Sequence, residues 1–182
     1  MPTANGASSV ILGVGPLVGT AHQVQGNNMH LESSIRIERP PERVWSFLSE
    51  VSNIPKWDRG VAAVAHSAPV TGVGSEFDTV AELDAQSDAR SNGRMSYRIV
   101  DIDPDRHQCR VELTSRDGNA RYFKRASWTF RAVGADGGTL LTCSADFVLR
   151  VQWLVLAPAL YLMRRAITND LRQLKAVLEA QS

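Results

Sequence analysis

The strongest constraint on the fold is a series of six strand-like segments that follow one another with no helical segment between them. These segments are Val61–His66, Ser75–Leu83, Met95–Ile102, Gln108–Thr114, Arg121–Ala132 and Thr139–Arg150. Turn-rich sequences such as "TGVGS", "DPDRH" and "GADGG" separate them. Parallel strands need long crossover connections, so strands joined by short turns predict an antiparallel meander.

The segment before the meander predicts a strand followed by two short helices. "SSIRIER" places Ile35 and Ile37 in alternation with polar residues, which indicates a half-buried strand. Two prolines end that strand, and the second suits the first turn of a helix. The helix then has one apolar face, formed by Val44, Phe47, Leu48 and Val51. "SNIPKW" predicts a second short turn or helix, with Ser52 as its cap and Pro55 limiting its length.

A long C-terminal helix is predicted from Val151 to Ala180. Its second half has an apolar stripe at helical spacing, formed by Ile167, Leu171, Leu174 and Leu178. Its first half, "VQWLVLAPALYLM", is apolar on nearly all sides and contains Pro158, where a kink is expected. A helix start of this kind is typical of a helix that faces a cavity.

Composition excludes several classes of function. The chain has 182 residues, enough for one domain, with 20 basic and 19 acidic side chains and a net charge of +1. This balance gives no electrostatic reason to expect a nucleic acid or an anionic membrane as a partner. Cys109 and Cys143 stand apart from each other and from any histidine cluster. They favour free thiols in a reducing compartment, and therefore a cytoplasmic protein.

Residues 1–28 are predicted to lie outside the core fold, and residues 29–182 to form the domain. The apolar run Val10–Val18 is too short to span a bilayer, so no stable membrane insertion is expected. Neither Lys nor Arg occurs before Arg36, so the basic region of a secretory signal is missing. The extension is either a disordered tail or a strap that docks on the domain or on a partner.

The order of these elements resembles the SRPBCC superfamily, in particular its polyketide cyclase/dehydrase-like branch. The resemblance rests on "IERPPERVWSFLSEVSNIPKW", on "GSEF", "YRIVDIDPDRH" and "GGTLL", and on the C-terminal "LRQLKAVLE". It implies the α+β helix-grip fold of START-type lipid carriers and birch-pollen allergens: a curved antiparallel sheet wrapped around a long C-terminal helix. It also implies a hydrophobic small molecule as ligand, and no cofactor. The superfamily includes carriers, receptors and enzymes, so fold alone does not decide the activity.

Three polar residues are candidates for acid–base chemistry in the implied cavity: Lys124, Tyr97 and Tyr122. Strand alternation puts Lys124 on the same face as four apolar neighbours, where desolvation would lower the pKa of its ammonium group. The alternative is that Lys124 lies near the strand end and reaches water beside a bulge, since one slipped residue reverses the face. Buried tyrosines need a partner for the phenol, which a ligand carbonyl can provide.

Strand alternation, the helix pattern and the resemblance predict a set of lining residues. Trp57 is expected near the entrance, or alternatively as plain packing under a loop. The ligand-binding candidates are Trp57, Phe77, Thr79, Met95, Val111, Trp128, Phe147, Leu154, Pro158 and Tyr161. Arg164 and Arg165 either clamp an anionic group at the cavity mouth or begin the solvated face of the helix.

The sequence supports three functional hypotheses. In the first, the cavity folds a polyketide-like chain and catalyses its cyclisation or dehydration by orientation and acid–base effects. In the second, the protein carries or senses a lipid or isoprenoid without changing it. In the third, the extension binds a partner. No metal site is expected, because no histidine pair has suitable spacing. The sequence does not decide whether the protein forms a homodimer.

Overall fold

The computed structural model of the protein describes residues 20–25, 28–65, 72–81, 94–114, 123–150 and 157–181. Within these residues, eight strands form one antiparallel sheet in the order β1-β2-β8-β7-β6-β5-β4-β3. The strands are β1 (Thr20–Gln25), β2 (Asn28–Ile37), β3 (Val61–Ala65), β4 (Glu76–Ala81), β5 (Arg94–Asp103), β6 (Gln108–Leu113), β7 (Phe123–Ala135) and β8 (Gly138–Leu149). The helices are α1 (Pro41–Ser49), α2 (Ile54–Trp57) and α3 (Ala157–Ala180), with a 3-10 turn at Val51–Asn53.

This architecture confirms the predicted helix-grip fold. Strands β3 to β8 follow each other along the chain and pair in sequence, as the meander required. The long helix α3 packs against the sheet through the predicted stripe, in which Leu171, Leu174 and Leu178 are buried. Their partners include Ile35 and Ile37 of β2. Burying each such leucine contributes roughly 1.5–3 kcal/mol, so the stripe ties the helix firmly to the concave face of the sheet.

Helices α1 and α2 connect β2 to β3, the strand at the opposite edge of the sheet from β1. Pro41 occupies the first turn of α1, as predicted, because a proline there gives up no helical hydrogen bond. Val44 and Phe47 are the buried residues of this helix. The cap of the following 3-10 turn is Glu50 rather than the expected Ser52: its carboxylate accepts hydrogen bonds from the Ser52 backbone N–H at 3.3 Å and hydroxyl at 2.9 Å.

A β-bulge in β7 corrects the predicted face of Lys124. Phe123 pairs with Leu149 and Arg125 pairs with Val148, so Lys124 is the extra residue. Strand alternation is broken at that point, because a bulge sets two residues opposite one. Phe123 therefore turns towards the concave face, where it contacts Phe147, and Lys124 is exposed to water. The structure agrees with the alternative interpretation, in which Lys124 lies near the strand end beside a bulge and reaches water.

The two ends of the domain bear differently on the sequence-based expectation. Helix α3 is described from Ala157 onwards, so Pro158 is its second described residue. The kink expected at Pro158 stays a prediction. Residues 151–156, which the prediction included in the helix, lie outside the described residues. Within the N-terminal extension, Thr20–Gln25 pairs with β2 as an edge strand of the sheet. The division of the chain at residue 28 otherwise stays a prediction.

Arg39 fastens the C-terminal end of α3 to the end of β2. Its guanidinium donates hydrogen bonds to the backbone carbonyls of Leu178 at 3.1 Å, Glu179 at 2.7 Å and Gln181 at 3.0 Å. The last carbonyls of a helix have no partner within the helix, so a cation at this end satisfies them and complements the helix dipole. The Glu179 carboxylate in turn accepts a hydrogen bond from the Glu38 backbone N–H at 2.7 Å.

No helix within the described part of the chain is both long enough and apolar enough to cross a membrane.

Candidate functional site

A continuous row of aromatic side chains crosses the concave face of the sheet, and we call it the aromatic row. It runs over β4, β5, β7 and β8 and consists of Phe77, Tyr97, Trp128, Phe147 and Phe123. Neighbouring ring centroids lie 5.4–5.5 Å apart. Strand pairing explains the row, since Phe77 pairs with Tyr97 across β4 and β5. Aromatic contacts of this kind contribute roughly 0.5–1.5 kcal/mol each beyond burial.

The aromatic row is well buried at Phe77 and Phe147, whereas its centre is more open. Phe77 is 4% exposed and Phe147 is 1% exposed. Tyr97 and Trp128, between them, are only partly buried, and so is Val111 of the intervening strand β6. These three side chains lie on the concave face and offer apolar surface to a small molecule. Partly exposed aromatic surface in a concave setting is the usual character of a ligand site.

Tyr97 provides the polar group at the centre of this surface. Its hydroxyl lies 3.6 Å from the Met95 sulfur, a weak acceptor. Burial raises the pKa of the Tyr97 phenol, and the charge of Asp58 raises it further. A hydrogen bond with the Thr79 hydroxyl opposes this shift. The phenol therefore stays protonated at neutral pH and can donate a hydrogen bond to a ligand carbonyl.

Two carboxyl groups lie close to each other where the chain after α2 meets α3, and we call Asp58 and Asp170 the carboxyl pair. Asp58 follows the last residue of α2, and its Oδ1 accepts a hydrogen bond from the Gly60 backbone N–H at 2.9 Å. Asp170 lies on α3 and accepts a hydrogen bond from the Arg59 backbone N–H. The chain after α2 and the middle of α3 thus meet at these two side chains.

Burial raises the pKa of both carboxyls of the pair, and the charge of Asp58 adds to the rise at Asp170. Burial raises the pKa of Asp58 above its ordinary value, although its hydrogen bond from Gly60 opposes the rise. For Asp170, burial and then the charge of Asp58 raise the pKa to about 6. The backbone N–H and the charge of Arg59 oppose this shift without reversing it. A carboxyl with such a pKa can both accept and release a proton near neutral pH.

The two thiols on the concave side are less suited to chemistry. Burial raises the pKa of Cys109 to about 11 and raises the pKa of the fully buried Cys143 as well. Both thiols therefore stay protonated, and the thiolate is the reactive form. Among the described residues, no three His, Cys, Asp or Glu side chains are grouped as metal ligands.

The structure brings most of the predicted lining residues together. Phe77, Thr79, Val111, Trp128 and Phe147 lie on the concave face, and Met95 lies beside Tyr97 with 37% of its surface exposed. Trp57 is buried, as the packing alternative expects, and its place near an entrance stays a prediction. Its ring is 8% exposed and packs edge-on against Phe130 at 5.9 Å.

Of the three acid–base candidates, only Tyr97 is placed at this site by the described residues. Lys124 is exposed at the bulge, so its ammonium group is not desolvated as the prediction required. Tyr122 and Leu154 lie outside the described residues. Pro158 and Tyr161 belong to the first turns of α3, whose side chains are not described.

The carboxyl pair was not among the candidates predicted from the sequence. Asp170 interrupts the pattern of α3 between Ile167 and Leu171, two apolar residues of the stripe that packs on the sheet. An acidic residue beside a buried stripe is a signal that could have found it, because charged groups are rarely buried without a reason. Asp58 directly follows the buried Trp57, but nothing in the local sequence shows that it meets Asp170.

Comparison with known proteins identifies the family and the fold of the chain. Residues 28–179 match the sequence profile of the family described as polyketide cyclase / dehydrase and lipid transport. The chain belongs to this family. The match covers β2 to α3 and includes the aromatic row and the carboxyl pair. No curated protein sequence matches the chain.

Solved structures with the same fold include proteins of different kinds. TTHA0849 from Thermus thermophilus is 18% identical, with a TM-score of 0.66, and the alignment covers 84% of this chain and 99% of that one. The Zhui aromatase/cyclase from Streptomyces sp. R1128 is 18% identical, with a TM-score of 0.66 and coverage of 84% and 94%. Ara h 8.0201 is 12% identical, with a TM-score of 0.65 and coverage of 85% and 99%. At these identities the likeness shows the fold alone.

Proposed function

We propose that this member of the polyketide cyclase/dehydrase family binds a hydrophobic, ring-forming small molecule against the aromatic row and catalyses its cyclisation or dehydration. The observation that carries the proposal is the position of the Tyr97 phenol. It lies at the partly exposed centre of the aromatic row and close enough to Asp58 for that charge to raise its pKa. An apolar wall, a hydrogen-bond donor and proton-transferring carboxyls are the groups that such a reaction needs.

In the proposed reaction, Tyr97 and the carboxyl pair have separate roles. The ionised carboxylate of Asp170 removes a proton from a methylene group that lies between two carbonyls. The resulting enolate carbon attacks a different, more distant carbonyl of the same chain and forms a carbon–carbon bond. The oxygen of that carbonyl accepts a hydrogen bond from Tyr97 and takes up the proton from Asp170. Donors placed where negative charge develops commonly contribute roughly 10²–10³-fold to such steps.

Dehydration can use the same groups. Asp170 removes the next proton from the carbon beside the new alcohol, and the hydroxyl leaves as water after taking that proton. The carboxylate returns to its starting state, so no cofactor is consumed. The aromatic row holds the chain folded throughout, and orientation of this kind supplies much of the rate gain in intramolecular reactions.

The alternative function is that of a carrier that holds an apolar ligand unchanged. The family description includes lipid transport. The aromatic row also offers mainly apolar contact, with one phenol at its centre. Under this alternative, Tyr97 would only anchor a ligand oxygen.

The test uses a linear tri-β-keto thioester as substrate and follows the phenolic product by absorbance and mass spectrometry. Wild-type protein should accelerate product formation over the uncatalysed reaction, and Tyr97→Phe should lower turnover at least tenfold. The Phe variant keeps the ring in the row, so quenching of tryptophan fluorescence by 2-naphthol should show unchanged ligand binding. Exposed Lys124 provides the control, and Lys124→Met should keep turnover within about twofold.

The outcomes separate the two functions. If the wild-type protein binds 2-naphthol but does not accelerate the reaction, the carrier function replaces the enzymatic one. Equal turnover by wild type and Tyr97→Phe would remove Tyr97 from the mechanism. Loss of turnover in Lys124→Met would restore that lysine as a catalytic candidate.

The expected surroundings of the protein are part of the proposal. We propose a cytoplasmic location, which is supported by two free cysteines, one of them buried, since a reducing compartment preserves free thiols. The proposed partner is the small molecule, and the near-zero net charge gives no reason to expect a nucleic acid.

A further inference from the structure

A cavity lies on the convex face of the sheet, on the opposite side from the aromatic row and α3. Its volume is about 410 Å³, and residues of β2, β6, β7 and β8 line it. These side chains alternate along their strands with buried concave residues such as Ala126 and Phe147. The lining side chains used below are Asn28, His30, Arg110, Arg125, Asp146 and Val148.

One side of the cavity is basic and lacks hydrogen-bond acceptors. The Nη2 of Arg110 donates to the Glu112 carboxylate at 3.1 Å and to the fully buried Ser127 hydroxyl at 3.3 Å. The Nε of Arg110 is buried and has no hydrogen-bond partner among the described residues. The Nε of Arg125 lies 3.4 Å from the same carboxylate oxygen. Two guanidinium groups thus share one carboxylate, and a buried donor without an acceptor commonly costs about 1–3 kcal/mol.

The other side of the cavity is acidic. The Oδ1 of Asp146 lies 2.7 Å from the Nδ1 of His30, and the Nε2 of His30 lies 3.9 Å from the Glu32 carboxylate. The Asp146 side chain is 48% exposed. Within the described part of the chain, its second oxygen, Oδ2, has no hydrogen-bond partner. That oxygen can accept a hydrogen bond from a ligand.

The two charged sides face each other without pairing. Arg125 pairs across the strands with Val148, and Asp146 is the diagonal neighbour, a relation that separates two residues by about 7–8 Å. Each turns to a different partner, Arg125 to Glu112 and Asp146 to His30. The half-buried Val148 lies between these charges and provides an apolar floor.

A ligand with a single charge meets one favourable and one unfavourable side of this cavity. An anion would pair with the guanidinium groups but would lie near the Asp146 carboxylate. A cation would pair with Asp146 but would lie near Arg110 and Arg125. A molecule that carries both charges matches both sides, and matching of this kind commonly decides which ligand is selected.

We propose that the convex cavity binds a free amino acid as its zwitterion, with an apolar side chain. The ligand carboxylate accepts hydrogen bonds from Arg125 and Arg110, since a guanidinium group presents paired donors to a carboxylate. The ammonium group donates to Asp146, and the side chain lies over Val148. This site is separate from the aromatic row, so the inference does not depend on the proposed function.

The test compares three probes that share one carbon skeleton: L-leucine, 4-methylpentanoate and 3-methylbutylamine. At about pH 7.5 leucine carries both charges, the acid only the negative charge and the amine only the positive charge. Calorimetric titration of the full-length protein should show leucine binding at least tenfold more tightly than either of the other two probes.

Variants of the two sides assign the selectivity to its source. Asp146→Asn should weaken leucine binding at least fivefold but should not weaken 4-methylpentanoate binding, because it removes the like charge that opposes an anion. Arg125→Gln should also weaken leucine binding at least fivefold and should not weaken 3-methylbutylamine binding. Arg131, exposed on the same face of β7 but not lining the cavity, offers a control with the same change in net charge. Arg131→Gln should keep leucine affinity within about twofold, and thermal unfolding shows that each variant is folded.

Several results would overturn the inference. If leucine and 4-methylpentanoate bind equally, the cavity is a site for anions and Asp146 has no role in it. If Arg131→Gln weakens leucine binding as much as Arg125→Gln does, the effect comes from overall charge and not from this cavity. If leucine does not bind at all, the cavity is not an amino-acid site. None of these results bears on the aromatic row, so the proposed function would stand.

Discussion

Tyr97 and Asp170 show how burial changes the chemistry of a single side chain. A phenol in water is a weak acid and a carboxyl in water is fully ionised at pH 7. In this site, burial makes Tyr97 still less acidic and shifts the pKa of Asp170 to about 6. One side chain therefore becomes a permanent hydrogen-bond donor, and the other can exchange a proton near neutral pH.

Because the pKa of Asp170 is raised, its carboxyl should make the free energy of unfolding fall as the pH rises. An acid with a higher pKa in the folded state binds more protons folded than unfolded, so stability falls as the pH rises between the two values. For Asp170 these values are its ordinary 3.8 and about 6. Asp170→Asn should lose less stability than wild type between about pH 4 and pH 7. The difference should be on the order of 1 kcal/mol, since partial exposure screens the charge.

Urea unfolding at about pH 4, 5.5 and 7 measures this difference. Asp105→Asn serves as control, because its carboxyl lies in an exposed turn and its pH profile should match that of wild type. Parallel wild-type and Asp170→Asn profiles would mean that the carboxyl has the same pKa in the folded and unfolded states.

At the scale of elements, the bulge in β7 decides which residues reach the site. Before the bulge, Phe123 faces inward, and after it Ala126 and Trp128 do so. An unbroken strand would have turned Lys124 inward in place of Phe123, as alternation from Trp128 backwards predicts. One extra residue thus removes a cation from the concave face and extends the aromatic row.

Because Arg39 bonds to the end of α3, removal of its guanidinium should clearly lower the free energy of unfolding. Arg39→Ala should destabilise the protein by about 1–3 kcal/mol, because hydrogen bonds from a charged donor to several carbonyls would be lost at once. Arg39→Lys should recover part of this loss, since an ammonium group keeps the charge at the helix terminus but not the planar geometry.

Thermal and urea unfolding of the three proteins provide the measurement. Arg131, an exposed residue of β7, offers a matched control, and Arg131→Ala should change stability by less than about 0.5 kcal/mol. An Arg39→Ala variant as stable as this control would show that water replaces the guanidinium at no cost.

At the scale of the whole molecule, truncating the N-terminal region to two different lengths should give two different results. Deleting residues 2–19 should leave the melting temperature within about 2 °C, because the strands from β1 onwards are retained. Deleting residues 2–26 also removes β1 and leaves β2 at the edge of the sheet. Exposed edge strands pair with other chains, so this shorter protein should aggregate more readily and melt at a lower temperature.

Light scattering and calorimetry on both truncated proteins check this expectation. If the loss of β1 changes neither property, the edge strand is dispensable. If removal of residues 2–19 alone unfolds the protein, the N-terminal region belongs to the core, against the predicted division of the chain.

The sequence by itself determined the elements and their class. Alternating residues specified the strands of the meander, short turns made them antiparallel, and the stripe of Leu171, Leu174 and Leu178 specified the helix packed on them. Much of the aromatic row also followed from alternation, including Phe77, Tyr97, Trp128 and Phe147. These features are local, because strand and helix periods are set by the backbone of each segment.

Only the tertiary structure decided the chemistry of the site. A bulge changes the side of the sheet on which the residues before it lie, and it leaves no clear mark in the sequence. Phe123 therefore lies on the concave face, where alternation had predicted Lys124. Asp58 and Asp170 come from a loop and a helix far apart in the chain, and their meeting depends on how α3 lies across the sheet. Their raised pKa values result from burial and, for Asp170, also from the charge of Asp58. Both effects depend on distances that only the folded chain provides.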